Sequence, residues 1–255
     1  MASLLEARGV EKHFGGVKAV NDVSISVEAG SIHAVIGPNG AGKTTFFNTL
    51  SGFYFPDAGT VTFDGHDVTK MINWKRIELG MSRTFQTPSI FPELSVYDNL
   101  LIGAQSQAKM AFRLSPPSAT ARNAMNARID ELLNFVNLTA LKDRPVSELS
   151  HGSQRLCEIA MSLAMQPKLV LLDEPMAGLA EAETERIVGV IRDLHDRLGL
   201  TVVFVEHNMR VVLGLAHRIT VLDRGAMLAE GTPAEIASNS VVREAYLGKE
   251  VIDHV

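Results

Sequence analysis

Residues 37–45 read Gly37-Pro38-Asn39-Gly40-Ala41-Gly42-Lys43-Thr44-Thr45 and match the template G-x-x-x-x-G-K-S/T at every fixed position. The glycines let backbone N–H groups turn inward around phosphate oxygens, and a helix starting behind them adds a positive partial charge. Lys43 can reach the β- and γ-phosphates of a nucleoside triphosphate, and the Thr44 hydroxyl can sit on Mg²⁺. A chance glycine-rich turn is the bland alternative. The flanks argue against it: Ser31-Ile32-His33-Ala34-Val35-Ile36 reads as a buried strand, and Thr45-Phe46-Phe47-Asn48-Thr49-Leu50 as the start of a helix.

Lys168-Leu169-Val170-Leu171-Leu172 is a continuous apolar run that suits a central parallel strand covered on both faces, and it ends in Asp173-Glu174-Pro175. Acidic residues at the carboxyl end of such a strand face the ligand crevice of an open α/β sheet. Asp173 suits the Mg²⁺ role, and Glu174 can accept a proton from an attacking water. Alone, the pair reads equally as a helix cap or a solvated turn; beside the phosphate loop, chemistry is favoured. Thr201-Val202-Val203-Phe204-Val205 is a second apolar strand, ending in Glu206-His207. His207 is either a structural or exposed histidine, or a group aimed at the same crevice that contacts a γ-phosphate or holds the lytic water. Spacing leaves both open.

The elements that must position these residues follow in order. Residues 4–12 form a candidate strand, and 23–27 alternate apolar and polar at period two, as a half-buried strand does. Phe14, between them, reads by itself as a core aromatic. Residues 60–63 with Asp64-Gly65 form a strand and tight turn, 74–80 a short helix ended by glycine, and 81–86 a strand that delivers Gln86 into a loop. Residues 96–110 and 121–136 have helical spacing around a loop at 114–120, with Ile129, Leu132, Leu133 and Val136 on one face. Residues 88–160 thus read as a mostly helical insertion into an α/β core. A helix at 181–198, strands at 218–222 and 226–229, and a tail helix at 233–247 complete the pattern.

The 255 residues are 46% hydrophobic and 21% charged, ordinary for a globular protein with a sizeable core. A net charge of -5 argues against a surface built mainly to hold nucleic acid. Cys157 is the one cysteine, which excludes an internal disulfide and a cysteine metal cage and suits a reducing cytoplasm; it reads as a buried helix residue. No apolar run approaches the roughly 18 to 20 residues that span a bilayer, and the first eight residues meet charge too early for a signal peptide. Work at a membrane would go through another chain that spans it.

The ordered motifs resemble the ATP-binding cassette family, the ATPases of ABC transporters, over residues 4–248. The resemblance is carried by the phosphate loop, Arg83-Thr84-Phe85-Gln86, Leu149-Ser150-His151-Gly152-Ser153-Gln154 (matching the family's LSGGQ signature), Leu171-Leu172-Asp173-Glu174-Pro175, and His207. It implies an α/β fold in one domain: a P-loop NTPase (RecA-like) core with an antiparallel β subdomain in residues 1–87 and 161–235, a helical subdomain in 88–160, and a C-terminal helix and tail in 236–255. It implies ATP and Mg²⁺ as cofactors, the metal held by Thr44, Gln86 and Asp173. Glu174 becomes the general base, His207 the γ-phosphate contact, Gln86 a Mg²⁺ and water contact, and Phe14 falls where the family stacks an aromatic on adenine. A head-to-tail dimer is implied, with itself or with a related ATPase subunit. ATP on one subunit's loop, Gly37 to Thr45, is capped by Ser150 and Gly152 of the other. Transmembrane permease subunits would dock on the helical insertion near Asp98 and Asn99, on the cytoplasmic face of the inner membrane. A periplasmic solute-binding protein takes part indirectly, and no nucleic acid is expected.

The chain also departs from the family pattern. His151 replaces the signature's first glycine and Ser153 its glutamine. Ala180 stands where Asp or Asn is usual in the loop crossing the dimer interface, so weaker cross-site coupling is expected. Residues 14–20, Glu206-His207-Asn208-Met209, 228–233 and 242–248 resemble the branched-chain, or hydrophobic, amino-acid uptake subfamily. Leu149-Ser150-His151-Gly152 and Ala182-Glu183-Thr184 also resemble its urea-uptake branch. Amino-acid uptake is therefore the expectation. Urea, small aromatic or carboxylic acids, and the ATPase of a lipid or lipopolysaccharide exporter are the alternatives. A soluble ABC ATPase acting on ribosomes or DNA would carry two cassettes or a long coiled-coil insertion, and this chain has neither.

Overall fold

Two long strands, β1 (Ser3–Phe14) and β2 (Val17–Glu28), pair antiparallel around a turn at Gly15-Gly16. After β3 (Ile32–Ile36) and helix α1 (Lys43–Leu50), β4 (Ala58–Phe63) and the short β5 (His66–Asp67) complete a four-stranded sheet of order β2-β1-β4-β5. Asp64 and Gly65 both take positive φ, 49° and 75°, which a two-residue hairpin turn requires. Helix α2 (Asn73–Glu78) and β6 (Met81–Arg83) lead to a helical stretch of α3 (Val96–Gln107), α4 (Ala119–Phe135) and α5 (His151–Ala164). Then come β7 (Leu169–Asp173), α6 (Glu181–Asp196), β8 (Thr201–Val205), α7 (Met209–Leu215), β9 (Arg218–Asp223), β10 (Ala226–Gly231), α8 (Pro233–Ser238) and α9 (Ser240–Val242). The computed structural model describes residues 3–85, 89–107 and 118–247.

The second sheet has the order β10-β9-β3-β8-β7-β6, parallel except for β10. Its inner strands are apolar on both faces because each face has its own core. Val170, Leu172, Val202 and Phe204 join the helices on one side. Leu169, Leu171, Val203 and Val205 join α1 and the four-stranded sheet on the other. Ile129, Leu132, Leu133 and Val136 all enter the helical core, as their spacing predicts. Cys157 is buried there, and burial pushes its thiol up to about 12.

Several boundaries differ from the sequence expectation. β6 ends at Arg83 because the Phe85 N–H leaves the ladder and donates to Glu158 Oε1 at 3.1 Å; residues 86–88, Gln86 among them, lie outside the described residues. α4 begins two residues early, at Ala119, capped by Ser118 Oγ, which accepts from Ala121 N–H. The expected tail helix is broken at Asn239. This residue is extended, and its side chain accepts from the Val241 and Val242 amides, ending α8 and starting α9. Phe14 closes β1, paired with Val17, and is 45% exposed; it is no core aromatic.

One buried polar group in β3 gives the fold a pH dependence. His33 is 1% exposed and hydrogen-bonds Thr220 Oγ1 at 2.8 Å; Thr220 in turn meets Glu230, the partner of Arg218. Burial lowers its pKa from 6.5 to about 4, Glu230 opposing the shift. The folded state therefore binds fewer protons than the unfolded state between those values. Stability from neutral His33 is complete above about pH 6.5 and is lost as pH falls through about 4, a loss of about 3 kcal/mol. Urea unfolding at pH 7 and pH 4.5 will show a smaller acid loss in His33→Gln than in wild type; equal slopes contradict the assignment.

Candidate active site

The chain leaves β3 at Ile36 and turns through residues 37–42 into α1. Gly42 takes φ 94°, and a Cβ there would stand 2.2 Å from the Ala19 carbonyl oxygen of β2, so only glycine lets the loop pass. Gly42 is also the N-cap of α1, with no side chain capping it. First-turn amides left without an intrahelical acceptor, at the positive end of a helix, bind anions. Lys43 Nζ donates to the carbonyl oxygens of Gly37 and Pro38 at 2.7 and 3.0 Å, so the ammonium lies across its own loop. Burial holds its pKa below the usual lysine range, and the charges of Glu174 and Asp173 offset part of that. A cleft of about 520 Å³ opens here, lined by residues 39–45, Val17, Lys18, Ala19, Glu174 and Arg224.

Strand register brings the other groups to the same edge. Asp173 of β7 and Val35 of β3 both pair with Val205 of β8. Three parallel strands thus release the phosphate loop, Asp173-Glu174 and Glu206-His207 side by side. Glu174 has φ 46°, left-handed backbone that costs a non-glycine residue about 1 kcal/mol or more. Its N–H donates to Val205 O at 3.0 Å and its C=O accepts from Ala177 N–H at 3.1 Å, which hold the turn that places Glu174 on the cleft. Glu206, 1% exposed, accepts from the Met176 N–H through Oε1 and from the His207 N–H through Oε2. It joins the loop after Glu174 to the loop carrying His207.

Asp173 is buried, and its Oδ2 lies 2.7 Å from Arg83 Nη2. Arg83 Nη1 also donates to Asn48 Oδ1 and Ser51 Oγ at the end of α1. The guanidinium sits 5.0, 5.4 and 5.6 Å from the rings of Phe85, Phe53 and Phe47. One cation therefore ties together β6, α1 and the acidic end of β7. Arg83→Met strands a buried carboxylate and is expected to cost about 3 kcal/mol or more in urea unfolding. Adding Asp173→Asn recovers most of it; a single-variant loss below about 1 kcal/mol contradicts this reading.

The profile of the ABC transporter family matches residues 20–177, and that of the branched-chain amino acid ATP-binding cassette transporters matches residues 226–252. The high-affinity branched-chain amino acid transport ATP-binding protein BraF of Pseudomonas aeruginosa is 38% identical over 96% of this chain and 98% of its own. LivG of Escherichia coli, with the same descriptive name, is likewise 38% identical over 96% and 98%. Among solved structures, the ADP conformation of an ATP-binding cassette of an ABC transporter superposes with a TM-score of 0.85 at 32% identity, covering 98% of this chain and 100% of that one. A nucleotide-free cassette superposes with a TM-score of 0.80 at 31% identity, covering 99% and 98%. The chain belongs to the ABC transporter ATP-binding family.

As an ABC ATPase it binds and hydrolyses ATP, and its fold is the expected α/β P-loop core. The structure brings Asn39–Thr45 and Glu174 together around one cleft. Other expected site residues lie elsewhere. His207 has a side chain 61% exposed and does not line this cleft. Phe14 presents its ring to solvent, edge-on to Tyr54 with centroids 5.3 Å apart. Ser150 caps α5, accepting from Ser153 N–H, and with Gly152 it contacts Glu183 of its own chain; both are expected to act on the ATP of a second subunit, so their place outside this cleft agrees with that expectation and does not test it. Arg83, Glu206 and Glu183 belong to motifs the sequence shows, but their roles are not read there. Only the packed sheet shows that Arg83 and Glu206 are held inside it.

Proposed function

We propose that this chain is the ATP-hydrolysing subunit of an importer for branched-chain or other hydrophobic amino acids. It sits peripherally on the cytoplasmic face of a membrane against permease subunits, with a solute-binding protein acting upstream. The reading is carried by the 38% identity to BraF and LivG over nearly the whole chain, which includes the separately matched tail at 226–252. No described helix is long and apolar enough to cross a membrane, so the membrane path is assigned to the permeases. The division into core and β subdomain (1–87 and 161–235), helical subdomain (88–160) and tail (236–255) belongs to the same proposal. It is supported by the packing of α3 and α4 on α5.

In this reading the amides at the start of α1 and Lys43 bind the phosphates, and Phe14 offers its exposed ring to adenine. Glu174 takes the proton of the attacking water, and His207 moves in to contact the γ-phosphate. The Thr44 hydroxyl and the Asp173 carboxylate are hard oxygen donors of the kind Mg²⁺ takes together with phosphates, and Gln86 is proposed as a third donor. When bound, Mg²⁺ supplies charge neutralisation at the β- and γ-phosphates. The remaining donors come from a second subunit, whose Ser150 and Gly152 cap the γ-phosphate in a head-to-tail dimer. The test is purification with the membrane subunits, followed by ATPase assays over leucine, isoleucine, valine, urea and aromatic acids. Stimulation by the branched-chain amino acids is expected; stimulation by urea or an aromatic acid alone reassigns the solute.

A further inference from the structure

Glu183 is the third residue of α6, and its carboxylate reaches across to the start of α5. Oε1 accepts from Ser150 Oγ at 2.8 Å and from the Gly152 N–H at 3.2 Å. Glu183 also lies in the first turn of its own helix, near the N-cap Ala180. One anion thus joins two helix N-termini, each of which attracts negative charge. The Ser150 hydroxyl first, then the Gly152 and Ala180 amides and the charge of His151, hold its pKa below the usual glutamate range. Gly152 makes the approach possible: a Cβ there would lie 2.7 Å from Glu183 Oε1.

Ser150 Oγ and the Gly152 N–H are the same groups that the proposed clamp needs for the γ-phosphate on the second subunit. A carboxylate and a phosphate cannot both take them, since each charge-assisted bond uses the one hydrogen its donor offers. We infer that Glu183 is an internal anion occupying the signature of the free subunit, and that the partner's ATP displaces it before the dimer closes. The inference rests on the clamp reading above. The γ-phosphate is then the group that competes with Glu183. ADP lacks it, so the carboxylate returns after hydrolysis and opens the dimer.

The test uses the full chain in a Glu174→Gln background, where ATP persists, with dimer fraction read by light scattering across a Mg-ATP titration. Glu183→Gln is expected to lower the ATP concentration for half-maximal dimer by about five-fold or more, and Glu183→Ala at least as far. Binding of a fluorescent ATP analogue to the monomer's own loop stays unchanged. An unshifted or raised half-maximal concentration in variants that melt like their parent overturns the inference alone. Should those variants melt early, Glu183→Asp, which keeps the charge but draws back by one methylene, carries the same expectation. A Glu174→Gln parent that binds ATP and stays monomeric refutes the clamp and the inference with it.

Discussion

Glu174→Gln will bind ATP as tightly as wild type and lose steady-state hydrolysis by about 10²- to 10⁴-fold, the range that one general base supplies. The variant is nearly isosteric. It keeps the turn held by the Val205 carbonyl and the Ala177 amide, so the left-handed backbone at residue 174 is preserved. What disappears is a carboxylate able to take a proton from water, together with its charge on Lys43. Removing that charge costs nucleotide affinity nothing, because a negative residue beside a phosphate site is repulsive. Phosphate release under saturating ATP measures the first half of the expectation, and retention of ATP through gel filtration the second. Turnover near wild type would transfer the base role away from Glu174. Loss of both turnover and binding would mean that the side chain shapes the cleft and does no proton transfer.

How much of this could be read from the chain depends on whether a residue's role is local. The phosphate loop was legible because its chemistry needs a fixed run of glycines, lysine and threonine between a strand and a helix, all contiguous. Asp173 and Glu174 were legible because the four-residue apolar run Leu169–Leu172 announces a strand buried on both faces. The tail helix was misread because Asn239 can continue a helix or cap one, and its choice depends on the two amides it finds. Arg83 was opaque for a different reason. Its partners Asn48, Ser51 and Asp173 lie 35, 32 and 90 residues away, and nothing periodic links them. Glu183 stood out only within Ala182-Glu183-Thr184, a resemblance to the urea-uptake branch, and a first-turn acid at its own helix N-terminus needs no second partner. That it serves two helices is visible only once α5 and α6 are packed.

Lys43→Ala will weaken ATP binding by about 10- to 100-fold, the loss expected when a charge-assisted hydrogen bond to phosphate is removed. The side chain is 7% exposed and already committed to the carbonyls of Gly37 and Pro38, so it reaches the nucleotide from a fixed place and little entropy is lost on binding. Burial lowers its pKa, so the ammonium is less well solvated than a surface lysine and gains more from an arriving phosphate. Lys43→Arg does not rescue it, because a planar fork cannot sit between two loop carbonyls spaced for an ammonium. Calorimetry with ATP and with AMP separates the role from general damage. AMP lacks the β- and γ-phosphates that Lys43 is placed to meet, and its weaker affinity should be the same in wild type and variant. An equal loss for both nucleotides would show that the alanine collapses the loop, and the contact to the outer phosphates would then have to be assigned to the α1 amides alone.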